Sequence, residues 1–207
     1  MIPPISDGQQ ITVRVADSVG LSTGTRDELR ASITGILGQA GITVDFIDCL
    51  IGGAKTGAAG CGDPLGPSDF VLRIFPPRLA MNSRQLGYAA LTAKGGAYAT
   101  VFLDPTRRAE RVAGLTDGTL LGHAAAHEIG HLLLGPNSHS RTGIMRPFFG
   151  PSDEIRMAQG HPLLFSGGEA KRMRAAIEAR TLNQGHPPRN TLAALTNSGH
   201  LSPITGP

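Results

Sequence analysis

His127-Glu-Ile-Gly-His131-Leu-Leu-Leu-Gly135-Pro-Asn-Ser-His139-Ser-Arg-Thr-Gly-Ile-Met145 gathers three imidazoles, a carboxylate and a helix stop into one short stretch. Side chains four apart on an α-helix differ by about 40° of rotation and about 6 Å of rise. His127 and His131 therefore project from one face and can grip a single ion. Glu128 lies between them, where a carboxylate reaches a water on that ion without itself being a ligand. A helix cannot curl around the ion, so a third ligand must come from the chain that leaves it. Gly135-Pro136 ends the helix, because Gly accepts the left-handed cap and Pro cannot continue the turn. His139 lies just beyond, while Glu154, Glu169 and Glu178 are the carboxylates that would replace it in a His-His-Glu site. Neutral imidazoles at about 2 Å in tetrahedral array suit Zn2+, with the fourth position left to water. Such a water has its pKa lowered towards 7, and Glu128 would take its proton during attack on a carbonyl and pass it to the leaving amine.

The remaining histidines read differently. His123 shares a face with His127, but ligands from three successive turns would spread over about 12 Å, too far for one ion. It is expected to pack. His161, His186 and His200 sit among Pro and Gly and are expected at the surface.

Working outward, the motif rides on a helix expected to run to Leu134, with Asp117 as its cap and a helical pattern before it from about Arg107. Upstream, Ile11 to Ala16 alternates apolar and polar residues as a half-buried strand does. Thr25-Arg-Asp-Glu28 matches a capping box, followed by Leu29, Ile33, Ile36, Leu37 and Ala40 at helical spacing and a stop at Gly41. Ile42–Asp48 and Phe70–Phe75 read as strands, as does Tyr98–Asp104, with Gly87–Leu91 as its partner or a loop. Downstream, residues 146–165 read as irregular, Ser166–Glu169 is a second capping box, and a final helix follows to Arg180. Strand, helix, strand, strand in that order predicts an α/β (α+β) fold, a mixed sheet with a helix across one face.

Composition sets the outer limits. With 207 residues the chain suffices for one domain, and Gly (28) and Pro (15) predict many turns. Aromatics are 4% and Trp is absent, so the core must come from Leu, Ile, Val and Ala. The net charge of +3 is mixed along the chain, which predicts a solvated surface rather than a nucleic-acid groove. No run of about 18 apolar residues offers a membrane span, and Met1–Asp7 has no signal-peptide pattern. The cysteines, Cys49 and Cys61, flank a Gly-rich loop. A bridge there would stabilise by about 2–3 kcal/mol and would imply an exported, secreted or periplasmic protein.

His127, Glu128, His131, Gly135, His139 and Met145 together resemble the metzincin metalloproteases, whose signature is HExxHxxGxxH followed by a methionine turn. Ser140 and the Gly-Ile-Met-Arg-Pro turn are most similar to the matrix metalloprotease branch. The resemblance covers about residues 120–150, and the element order is compatible with that fold over residues 10–182. Two departures stand out: Gly135 comes four residues after His131 rather than three, and His139 four after Gly135 rather than three, which displaces the third ligand by two residues. Phe148 and Phe149 also stand where some metzincins carry a tyrosine, and the cysteines of a second archaeal-type zinc site are missing. The resemblance implies a catalytic domain, placed over residues 1–182; residues 183–207, rich in Pro, Asn, Thr, Ser and Gly with little periodicity, read as an irregular tail. It implies a zinc endopeptidase with Glu128 as general base and His127, His131 and His139 as ligands. Met145 would lie beneath the metal, and an extended polypeptide would pair with the Tyr98–Asp104 strand as sheet edge. A monomer without nucleic-acid or membrane partners is expected. The rivals are the glutamate-ligand hydrolase and a zinc-stabilised binding module without turnover.

Overall fold

The computed structural model describes residues 9–50, 60–76, 85–92, 95–103 and 112–184. Along the chain lie β1 (Gln9–Asp17), α1 (Thr23–Gln39), β2 (Ile42–Leu50), β3 (Asp69–Phe75), β4 (Gly87–Thr92), β5 (Gly95–Phe102), α2 (Asp117–Leu134), α3 (Pro151–Ala158) and α4 (Gly167–Gln184). The strands form one mixed α/β sheet in the order β2-β1-β3-β5-β4, parallel except for β4, which runs antiparallel to β5. Parallel neighbours need a long crossover, and α1 supplies it between β1 and β2. Ile11, Val13 and Val15 of β1 alternate towards the helices and are buried with Leu72 and Ile74 of β3 and Leu29, Ile33 and Leu37 of α1. Each such side chain contributes about 1.5–3 kcal/mol of burial.

Helix α2 lies between two cores. Leu121, Ala125, Ile129 and Leu132 pack into the cluster under the sheet, whereas Leu120 and Ala126 join Ile144, Met145, Met157 and Leu163 in a second, lower cluster. Close approach to α1 depends on bare glycine faces. A Cβ on Gly122 would overlap the Ser32 side chain and lie 2.9 Å from the Leu29 carbonyl oxygen. At the far end of the sheet, Arg180 of α4 donates to the Pro67 and Gly96 carbonyls (2.7 and 3.0 Å) and stacks 4.7 Å over Phe70.

Several local expectations are corrected. The N-cap of α1 is Ser22, whose Oγ accepts from the Thr25 N–H, so the helix starts before the Thr25–Glu28 box. Thr116 rather than Asp117 caps α2, its hydroxyl accepting from the Thr119 N–H, and Asp117 sits in the first turn where a negative charge suits the helix dipole. The stretch after Met145 is not wholly irregular, since Pro151 opens α3 and Asp153 caps it through the Gly150 N–H. Tyr98–Phe102 is an inner strand between β3 and β4, so it is not the sheet edge. The Ser166–Glu169 box forms in both directions, Ser166 N–H to Glu169 at 2.7 Å and Glu169 N–H to Ser166 Oγ at 3.3 Å. Cys49 and Cys61 are joined in a disulfide. The amino terminus, residues 104–111, and the segment 185–207 with His186 and His200 lie outside the described residues.

Candidate metal centre

Burial of α2 on every side fixes where its polar groups can point. His127, Glu128 and His131 are all buried on this helix, at 8%, 7% and 4% exposure. Gly135, with φ at 87°, closes the helix, and its N–H bonds to the His131 carbonyl. Asn137 follows in the left-handed region at φ 57°. The chain thereby doubles back and returns His139 to the two helical imidazoles. The ligand-capable atoms of His127, His131 and His139 all lie within 4.8 Å of one another. His131 Nε2 is 3.0 Å from His127 Nε2 and 3.1 Å from His139 Nε2.

The outer ring nitrogens decide what those contacts mean. His127 Nδ1–H donates to the Ile144 carbonyl at 2.7 Å. Ser138 Oγ donates its one hydrogen to the Gly135 carbonyl (2.8 Å) and so must accept from His131 Nδ1–H, also at 2.8 Å. Both Nε2 atoms consequently carry bare lone pairs, and two acceptors at 3.0 Å are not a hydrogen bond. Burial first, then the neighbouring imidazoles, push His131 down to about 3, and burial pushes His127 down to about 4, so neither ring takes up a second proton near neutrality. A cation shared between them would relieve the repulsion. Ligand atoms about 2 Å from a tetrahedral Zn2+ sit roughly 3.3 Å apart, close to the 3.0 and 3.1 Å that separate His131 Nε2 from those of His127 and His139. The three residues fit zinc.

The surroundings hold these groups in place. Met145 is fully buried, and a Cβ on Gly130 would lie 2.6 Å from its Sδ, so the turn after His139 seats directly against α2. Ser140 N–H to the Met145 carbonyl (2.8 Å) and Ile144 N–H to the Leu164 carbonyl (3.0 Å) fasten that turn. The Phe149 ring meets His127 edge-on at 6.0 Å. Glu128 faces the start of β4: a Cβ on Gly87 would come within 3.0 Å of its Cγ and Oε1. Burial pushes the Glu128 carboxyl up to about 8.

His123 packs as expected. Its Nδ1–H donates to Thr119 O (2.8 Å) and its Nε2 accepts from the Leu163 N–H (3.3 Å), tying α2 to the lower part. His161 is exposed. Among the candidate carboxylates, Glu169 is taken up capping α4 and Glu178 is exposed on that helix. Among the described residues, the three histidines are the group gathered for a metal. The sequence reading missed Gly87, Gly130 and Ser138. A serine immediately before the third histidine was the one available signal, and nothing local marks the two glycines.

A pH consequence follows from the histidines. Imidazoles bind metal only when neutral, and a lowered pKa keeps them neutral to lower pH. His127 and His131 should thus stay neutral well below 6.5, down towards about 4. Zinc content after dialysis across pH 4–7 should fall below pH 5, not near 6.5. Loss centred at 6.5 would show that the imidazoles are not shielded as described.

No protein-family model matches the chain, and no curated protein matches it in sequence. Among solved structures it is similar to archaemetzincin from Methanopyrus kandleri, at 14% identity and a TM-score of 0.48, over 86% of this chain and 99% of that one. It is also similar to myroilysin, at 16% identity and a TM-score of 0.32, over 61% of this chain. The match spans about half of myroilysin's length (48%). Fold and site together define a mixed α/β protein with a three-histidine cluster on and beside a buried helix.

Proposed function

We propose that the chain is a zinc-dependent endopeptidase of metzincin type, with His127, His131 and His139 as ligands and Glu128 as general base. The observation that carries this reading is the convergence of three Nε2 atoms, two of them deprotonated by their own Nδ1–H bonds. Zinc bound there would polarise a scissile carbonyl and acidify a water. Glu128, next to His127 on the same helix, would take up that proton and return it to the leaving amine; burial pushes its carboxyl up to about 8, and the charge of a nearby divalent cation would favour the carboxylate form that acts as base. Met145 supports the site from below. Among the described residues β4 pairs with β5 alone, and its start lies against Glu128, so its outer edge is the place for an extended polypeptide to add as a strand. The Cys49–Cys61 bridge supports an exported protein. The catalytic domain is assigned to residues 1–182, with 183–207 as its tail, acting as a monomer.

The test is hydrolysis of casein or a quenched fluorescent peptide. The zinc-loaded protein should cleave, lose activity on chelation and regain it with about one equivalent of zinc. Cleavage indifferent to chelation, or none by the loaded protein, would reject the reading.

A further inference from the structure

The connection from Gly135 to His139 carries a polar group with a defined task. Ser138 Oγ lies 2.8 Å from His131 Nδ1 and 2.8 Å from the Gly135 carbonyl oxygen. One hydroxyl thus joins the ring of the second candidate ligand to the carbonyl of Gly135, the residue that closes α2. Gly135 N–H bonds in turn to the His131 carbonyl, so backbone and ring of His131 are tied to the same short turn. His127 has no such dependence, because its Nδ1–H bonds to the Ile144 backbone.

We infer that Ser138 is a positioning residue for His131: it holds the proton on Nδ1, fixes the ring's rotation and leaves Nε2 bare to receive zinc. This rests on the zinc reading above. The physical reason is general. A metal-bound imidazole whose outer N–H lacks an acceptor is less basic and less well oriented, and losing such a partner costs about 10–100-fold in metal affinity. Alanine at 138 also leaves the Gly135 carbonyl without its donor, whereas threonine keeps the hydroxyl.

Zinc affinity of the purified full chain, measured by competition with a chromophoric chelator, tests the assignment. Ser138→Ala should bind zinc about 10–100-fold more weakly, and Ser138→Thr should recover most of the loss. Ser138→Ala within twofold of wild type would overturn the role of Ser138 while leaving the zinc site standing. Wild-type protein that binds no zinc would overturn both. A second readout needs no variant: nitrogen-15 spectra of the zinc-free wild-type protein report which His131 ring nitrogen holds the proton. Nδ1 is expected, and a proton on Nε2 would overturn the inference even if Ser138→Ala does not fold.

Discussion

Glu128→Gln should lower peptide turnover by about 10²–10⁴-fold, the range for loss of a general base, while bound zinc stays at the wild-type level. The substitution is nearly isosteric, which matters at this position. The side chain fits between α2 and the start of β4, where even a methyl on Gly87 would press on it. Glutamine fills the same space but cannot accept a proton at neutral pH. Folding of the zinc-free protein should be unimpaired, since there a neutral amide replaces a carboxyl that burial already pushes up to about 8. Paired measurements of kcat and zinc content separate the outcomes. Activity within tenfold of wild type would remove Glu128 from the chemistry. Loss of zinc along with activity would mean that the carboxylate belongs to the ligand set.

His139→Ala carries the second large effect, on metal affinity. A structural zinc with four ligands is held by about 10–16 kcal/mol, roughly 3 kcal/mol each. Removing one ligand should therefore weaken binding by about two orders of magnitude. His139 is the exposed member of the three, so its removal should leave the melting temperature of the zinc-free protein unchanged within a few degrees. Calorimetric titration and thermal melts of the same sample decide the matter. Undiminished affinity would point to a carboxylate ligand, with Glu154 and Glu178 ahead of Glu169, whose carboxylate already caps α4.

How far the sequence was legible follows from the range of each interaction. The His127/His131 pair was readable because helical spacing is a local rule, and the element order predicted a mixed sheet because strand alternation is also local. His139 was different. Its reach depends on backbone angles at Gly135 and Asn137, and counting residues along HExxHxxxGxxxH does not supply them. The sheet edge was misassigned for a related reason: chain order places Tyr98–Phe102 last among the strands, whereas antiparallel pairing carries β4 around to its outer side. Helix α3 escaped notice despite Gly150-Pro151, because just Asp153 and Met157 of its eight residues are buried and no apolar stripe announces it. Thr25 read as the cap because Thr25-Arg-Asp-Glu28 matches a capping box, whereas it is Ser22 whose Oγ accepts from the Thr25 N–H.

The enclosure of α2 between two cores has one more consequence. Apart from Thr119, every residue from Asp117 to Leu133 is buried, so apolar contacts, a serine and a backbone carbonyl hold the imidazoles in position before any ion arrives. A zinc finger is a string that the metal gathers into shape. This chain is closer to a mould cast in advance, in which loading the ion sacrifices little chain entropy, and removing it should leave the cast standing.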